Sequence, residues 1–119
     1  MDQKVNLADK FALLEGPYQP GIVGYMNDYK LQVVKVLGPF VWHKHEETDD
    51  FFLVIRGHLT IHLRDRDIEL DPGELFVVER GVEHCPDARE ETEVLLIEPD
   101  GTVNTGDAGG EMTVAPRVL

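Results

Sequence analysis

Cysteine is nearly absent from this chain: Cys85 stands alone, which excludes an internal disulfide framework and fits a reducing cytoplasm. Positive charge is scarce too, with 11 Lys and Arg against 23 Asp and Glu and a formal net charge of −12. That surface repels phosphates, so neither nucleic acid nor an anionic membrane is an expected partner. No apolar run approaches the roughly 20 residues of a membrane-spanning helix. The opening MDQKVNLADKF lacks the charged-then-apolar layout of a signal peptide, and a cytoplasmic location is expected. What is present is the composition of a soluble globule, 42% hydrophobic and 29% charged. At 119 residues it fits a single domain, 1–119, with a conventional core.

Helix is as scarce as cysteine. Asn6 can cap one short helix, about 7–15, with Leu7, Phe11 and Leu14 on one face, before Gly16 and Pro17 stop it. From there the pattern has the short period of strands. Ile22–Met26, the turn-forming Asn27-Asp28 and Tyr29–Leu37 predict a hairpin, and Phe40–His45 a further strand. The apolar run FFLVI (51–55), alternating LTIHL (59–63), Ile68–Leu70, Leu75–Val78 and Val94–Ile97 follow, separated by turns. Many short strands predict an all-β, closed or two-sheet structure with its core barrel at about 21–99 and a loop-like tail at about 100–119. FFLVI and LFVV are apolar on both faces, so the outer face needs cover. A second copy of the chain, making a homodimer, is the expected cover; the N-terminal helix or the tail is the alternative.

His43 and His45 stand two apart in an extended segment, so both imidazoles project to one face, half of a transition-metal site. Around them the chain reads Gly38-PFVW-His43-Lys44-His45-EETD-Asp50-FFLVIR-Gly57, and later Gly73-ELFVV-Glu79-Arg80-Gly81-Val82-Glu83-His84. These two blocks resemble the paired motifs of the cupin superfamily in spacing, residue type and order. The resemblance spans roughly Gly38 to Pro99, and the short distance from Gly57 to Gly73 is similar to that of small single-domain cupins. It implies a double-stranded β-helix, or jelly-roll barrel. It places His43, His45 and His84 at the histidine-ligand positions and Asp50 where the family usually has Glu. Asp50 is one methylene shorter, losing about 1.5 Å of reach, and is expected to bind directly or through a water. Glu79 replaces the usual Pro of the second motif, and Ala88 an Asn often found beyond it.

Three imidazoles and one carboxylate suit one divalent transition metal (Fe, Mn, Ni, Cu or Zn) rather than calcium or magnesium, and they leave open positions for a substrate. The competing reading is a set of histidines held by ordinary hydrogen bonds. Arg80, near the His84 turn, is a candidate contact for an anionic substrate or a surface partner of Glu79 or Glu83. The acids Glu46, Glu47 and Asp49 are read as a solvated loop, with Trp42 and Lys44 turned away from the histidines. His58 and His62 are expected outside the barrel, and Cys85 as a small half-buried thiol rather than a nucleophile.

Cupins host dioxygenases, isomerases, lyases and binding modules, so the fold does not choose among them. A metalloenzyme acting on a small organic molecule ranks first, and a non-catalytic ligand-binding or sensing barrel second. A sugar-phosphate isomerase relative ranks lower, because Arg56, Arg64, Arg66 and Arg80 are scattered among acids and form no phosphate cluster.

Overall fold

Side-chain alternation along the strands decides the architecture of this chain, seen in a computed structural model that describes residues 3–119. After α1 (Leu7–Phe11) come β1 (Gly21–Met26), β2 (Tyr29–Val36), β3 (Asp50–Arg56), β4 (Leu59–Leu63), β5 (Asp67–Leu70), β6 (Leu75–Val78), β7 (His84–Asp87), β8 (Thr92–Pro99) and β9 (Arg117–Val118). A six-stranded sheet in the order β6-β3-β8-β2-β1-β9 faces a three-stranded sheet in the order β5-β4-β7. This is the all-β jelly-roll that the strand pattern predicts, with one short helix.

The core lies between the sheets. Val34 and Val36 of β2, Phe52 and Val54 of β3 and Val94 of β8 meet Leu59, Ile61 and Leu63 of β4. Each such aliphatic side chain contributes about 1.5–3 kcal/mol by leaving water. Gly57, between β3 and β4, has φ +96°, and a Cβ there would stand 3.0 Å from Thr92 Cα. Only glycine serves that turn, because both the left-handed backbone and the close approach of β8 exclude a side chain.

On the outside of the large sheet a second cluster joins Phe11 and Leu14 to Val23 and Val33, with Leu31, Ile55, Leu95 and Leu119 packed against it. The helix and the chain end therefore cover part of the apolar outer face. Leu75 and Val77 of β6 remain 54% and 41% exposed, beside the half-buried Phe51, Leu53 and Ile97.

Three segments differ from the expected boundaries. The helix ends at Phe11 rather than near residue 15, because Leu13 N–H bonds Lys10 O and Leu14 N–H bonds Phe11 O in tighter turns. Phe40–His45 is no continuous strand and keeps one bridge, His43 to His84. Gly38 N–H donates to Ala88 O and Phe40 N–H to Pro86 O, but Pro86 has no N–H to return. The residues beyond β8 are mostly turns, yet they are tied down: Thr105 is fully buried, and Arg117–Val118 pairs in parallel with β1.

The outer face of the small sheet carries two histidines, each held by two carboxylates. His58 Nδ1 and Nε2 lie 2.8 and 2.6 Å from Asp71 and Glu69, and His62 Nδ1 and Nε2 lie 2.7 and 2.9 Å from Asp67 and Asp87. Carboxylates only accept, so both ring nitrogens must donate and the imidazolium form is favoured. The His58 pKa is raised by its bonds to Asp71 and Glu69, and that of His62 by its bonds to Asp87 and Asp67. A pKa raised in the folded state gives stability that is full below the unfolded value of about 6.5 and lost as pH rises through the folded value. The unfolding free energy from urea titration should therefore fall from about pH 6 to about pH 8, by no more than about 1 kcal/mol per histidine because solvent screens both. Other groups titrate in that range, so the measurement is the difference from a His58→Gln/His62→Gln variant; parallel curves would disprove the assignment.

Candidate metal centre

His43 and His84 are set opposite each other by two reciprocal backbone bonds, His43 N–H to His84 O at 3.0 Å and His84 N–H to His43 O at 2.9 Å. His84 opens β7 and Asp50 opens β3, while His45 is steadied by Gly81 N–H donating to its carbonyl at 2.8 Å. The three rings converge, with centroids 4.3 Å apart for His43–His84, 5.0 Å for His43–His45 and 5.8 Å for His45–His84. All four residues are buried, and one nitrogen or carboxylate oxygen from each lies within 4.8 Å of the others. Sequence spacing alone places the two histidines of the first block together; the fold brings in Asp50 and His84.

The ring tautomers are set by carbonyls. His43 Nδ1 is 2.9 Å from Val41 O, and His84 Nδ1 is 2.9 Å from Val82 O. A carbonyl can only accept, so each Nδ1 carries the proton and each Nε2 presents a lone pair to the centre, as in histidine metal ligands generally. Burial and the neighbouring His84 push the His43 pKa down to about 4, so this ring is neutral near pH 7. Burial works to raise the Asp50 carboxyl, but His45 and His84 beside it hold it at about 2. For His45 burial opposes protonation, and Asp50, with Oδ2 at 3.3 Å from Nε2, outweighs it. Asp50 Oδ1 and His84 Nε2 have no hydrogen-bond partner in the protein. A buried carboxylate oxygen and a buried ring nitrogen left so are costly unless something of opposite character sits between them. The donor set and its orphaned atoms fit a divalent metal, and Asp50 is within reach despite being shorter than Glu.

A cavity of about 50 Å³ opens on this group, walled by Val34, Phe52, Val94 and Leu96, with His43, Asp50, Gln32 and Glu98 also lining it. Arg80 is not among its lining residues. It borders an outer groove with Phe51, Val77 and Ile97, and its backbone N–H donates to Asp49 Oδ1 at 2.9 Å. Trp42 points outward under the Arg64 guanidinium at 3.8 Å, and Lys44 pairs with Glu46 at 3.2 Å. Cys85 is buried, and burial pushes its thiol pKa up, which removes the thiolate a nucleophile needs.

Two contributions escaped the sequence reading. Lys30, Gln32 and Glu98 are polar residues buried on the inner face. Their parity with Val34, Val36, Val94 and Leu96 along β2 and β8 was the available signal. The second is a clamp from the tail: Asp107 Oδ1 accepts from Lys44 N–H at 2.8 Å, and Asp107 N–H donates to Lys44 O at 3.1 Å. Composition alone offered no signal for it.

Residues 31–98 match the cupin domain family. The chain belongs to that family. A cupin-2 domain protein from Shewanella frigidimarina, known as a crystal structure, is 46% identical, with 80% of this chain and 93% of that one covered and a TM-score of 0.79. A Neisseria meningitidis protein of known structure is 26% identical, covering 82% of this cupin and 100% of its own chain, with a TM-score of 0.75. The uncharacterised Bacillus subtilis protein YdbB is 25% identical over 77 residues, 64% of this chain and 68% of that protein.

Gly106 tests the tail clamp. It has φ +53°, and a Cβ would press on Lys44 O and stand 3.1 Å from His43 Cδ2, whereas Gly109, at φ +62°, has open space around it. Gly106→Ala should cost about 2–3 kcal/mol and Gly109→Ala about 1 kcal/mol in chemical denaturation. Equal losses would show that the tail does not bear on His43.

Proposed function

We propose that this cupin is a metalloenzyme acting on a small organic molecule, with one divalent transition metal held by His43, His45 and His84 through imidazole nitrogens and by an Asp50 carboxylate oxygen. The observation that carries this reading is the convergence of four buried donors, two of them otherwise unpartnered, on one point beside a cavity. Such an ion supplies Lewis-acid polarisation or redox chemistry, the basis of isomerase, lyase or dioxygenase reactions.

The chain's own groups do the rest. Val41 and Val82 carbonyls keep the Nδ1 protons in place, so the Nε2 atoms stay directed at the centre. Val34, Phe52, Val94 and Leu96 line the cavity with apolar surface, which strengthens polar interactions beside it. Glu98 is pushed up to about 8 by burial and by the Asp50 charge while no metal ion neutralises that charge, so in the metal-free protein it holds a proton beside the site near neutral pH. Its Oε1 accepts from Gln32 at 2.7 Å, which leaves Oε2 to carry that proton. A buried carboxyl poised near neutrality is suited to proton transfer with a bound molecule.

Elemental mass spectrometry of the untagged protein should find close to one equivalent of Fe, Mn, Ni, Cu or Zn, and none in a His43→Ala/His84→Ala variant. Iron, copper or manganese would direct substrate screens to oxygen consumption, and zinc or nickel to isomerisation and elimination. Absence of metal after reconstitution would overturn the reading.

The uncovered strip of Leu75 and Val77, flanked by Phe51, Leu53 and Ile97, supports a homodimer through β3 and β6. The buried lone thiol fits a cytoplasmic location. Sedimentation should show a dimer at about 10 μM, within the range of ordinary interfaces, and Val77→Lys should give a monomer that keeps its metal. A wild-type monomer at ten times that concentration would rule the interface out.

A further inference from the structure

Among the described residues, three buried side-chain polar atoms lack a hydrogen-bond partner in the protein: Asp50 Oδ1, His84 Nε2 and Gln32 Oε1. The first two belong to the metal group, and Gln32 does not. It lies on β2, with β8 between it and the β3 strand that carries Asp50. It is 2% exposed and lines the same cavity as His43 and Asp50.

The orientation of this amide is determined by its neighbours. Glu98 Oε1 accepts from Gln32 Nε2 at 2.7 Å and faces the Lys30 ammonium at 3.6 Å. Turning the amide over would set its oxygen against that same carboxyl oxygen, so Oε1 is the atom left unpaired. Lys30 makes no bond to it; its ammonium donates to Thr102 O at 3.0 Å and faces Glu98. Other polar groups of the cavity lining are committed as well. Tyr18 donates its hydroxyl to Gly38 O at 2.6 Å, and the Asn104 amide bonds Met112 O and Val114 N–H.

Val34 and Val36 occupy the next positions on the same face of β2. An apolar residue in place of Gln32 would avoid burying an unpaired carbonyl, so its presence costs stability and calls for a ligand that repairs the deficit. The ligand must offer a donor. It must also be uncharged or nearly so, since the walls Val34, Phe52, Val94 and Leu96 make burying an ionic group costly and no Lys or Arg side chain among the described residues lines the cavity. Its size is small, as a cavity of about 50 Å³ requires.

We propose that Gln32 Oε1 is a ligand-recognition acceptor, and that this cavity takes a small uncharged molecule whose hydroxyl group donates to it. The assignment rests on the metalloenzyme reading for the second anchor of that molecule, an oxygen offered to the metal, and it names the substrate class that reading leaves open.

The test compares hydroxyacetone with methoxyacetone, which share a carbonyl oxygen but differ in having or lacking a hydroxyl donor. Binding is followed by NMR of ¹⁵N-labelled protein, both metal-free and zinc-loaded, with the Gln32 side-chain amide resonances as a direct reporter. Hydroxyacetone should shift those resonances and bind at least about tenfold tighter than methoxyacetone. Gln32→Met, which keeps the volume and removes the acceptor, should abolish the difference while zinc stays at one equivalent by elemental analysis. Equal affinities in the wild type, unmoved Gln32 resonances, no hydroxyacetone binding, or discrimination that persists in Gln32→Met would each overturn the proposal. If Gln32→Met does not fold, the two wild-type comparisons decide alone. Discrimination by a protein that takes up none of Fe, Mn, Ni, Cu and Zn on reconstitution would overturn the metal reading and leave the Gln32 assignment standing.

Discussion

Two backbone hydrogen bonds between His43 and His84 hold this molecule's chemistry together. They join the segment ahead of β3 to the first residue of β7, and so bring residues 41 positions apart in the chain to directly opposed places. Everything else at the site follows from that pairing. The two carbonyls that fix the ring tautomers, Val41 and Val82, each lie two residues before the histidine they serve. The tail residues Gly106 and Asp107 then brace Lys44, between His43 and His45.

The interior of the large sheet divides into an apolar part and a polar part. Val34, Val36, Val54 and Val94 form the first. In the second, Lys30 pairs in register with Glu98 across β2 and β8, and Asp50 follows on β3, next beyond the Phe51–Ile97 pair. A row of ionisable groups inside a barrel is expensive, and it is tolerated because each member leans on another: Lys30 on Glu98 and Thr102, Glu98 on Gln32, Asp50 on His45. The atoms that remain without a partner are at the cavity. Stability is given up there, and that is where binding has most to gain.

Much of this was legible in the sequence. The alternation of LTIHL put Leu59, Ile61 and Leu63 inward and His62 outward, and the structure has them so. The spacing of His43 and His45 put them on one face, and the resemblance to the cupin motifs added Asp50 and His84; the structure gathers all four in one buried place. Less legible was the segment Phe40–His45, where periodicity signalled a strand but the missing N–H of Pro86 interrupts the ladder. The helix was overestimated for a similar reason: its apolar face continues to Leu14, but Leu14 reaches the core from a turn. Arg80 sits near His84 in sequence, yet the turn around Gly81 leaves it on an outer groove.

Local chemistry and period were enough to specify strand content, turn positions and the His43–His45 pair, because these depend on residues a few positions apart; Asp50 and His84 entered through the resemblance to the cupin motifs. Which distant groups meet could only be decided by the packing of the two sheets. That packing buried Lys30, Gln32 and Glu98 beside the donors and left Gln32 Oε1 unpaired. It also folded Gly106 and Asp107 back onto the His43–His45 segment. Such contacts join distant parts of the chain, 68 positions apart for Lys30 and Glu98, and arise from strand register and sheet curvature, which no short window of sequence encodes.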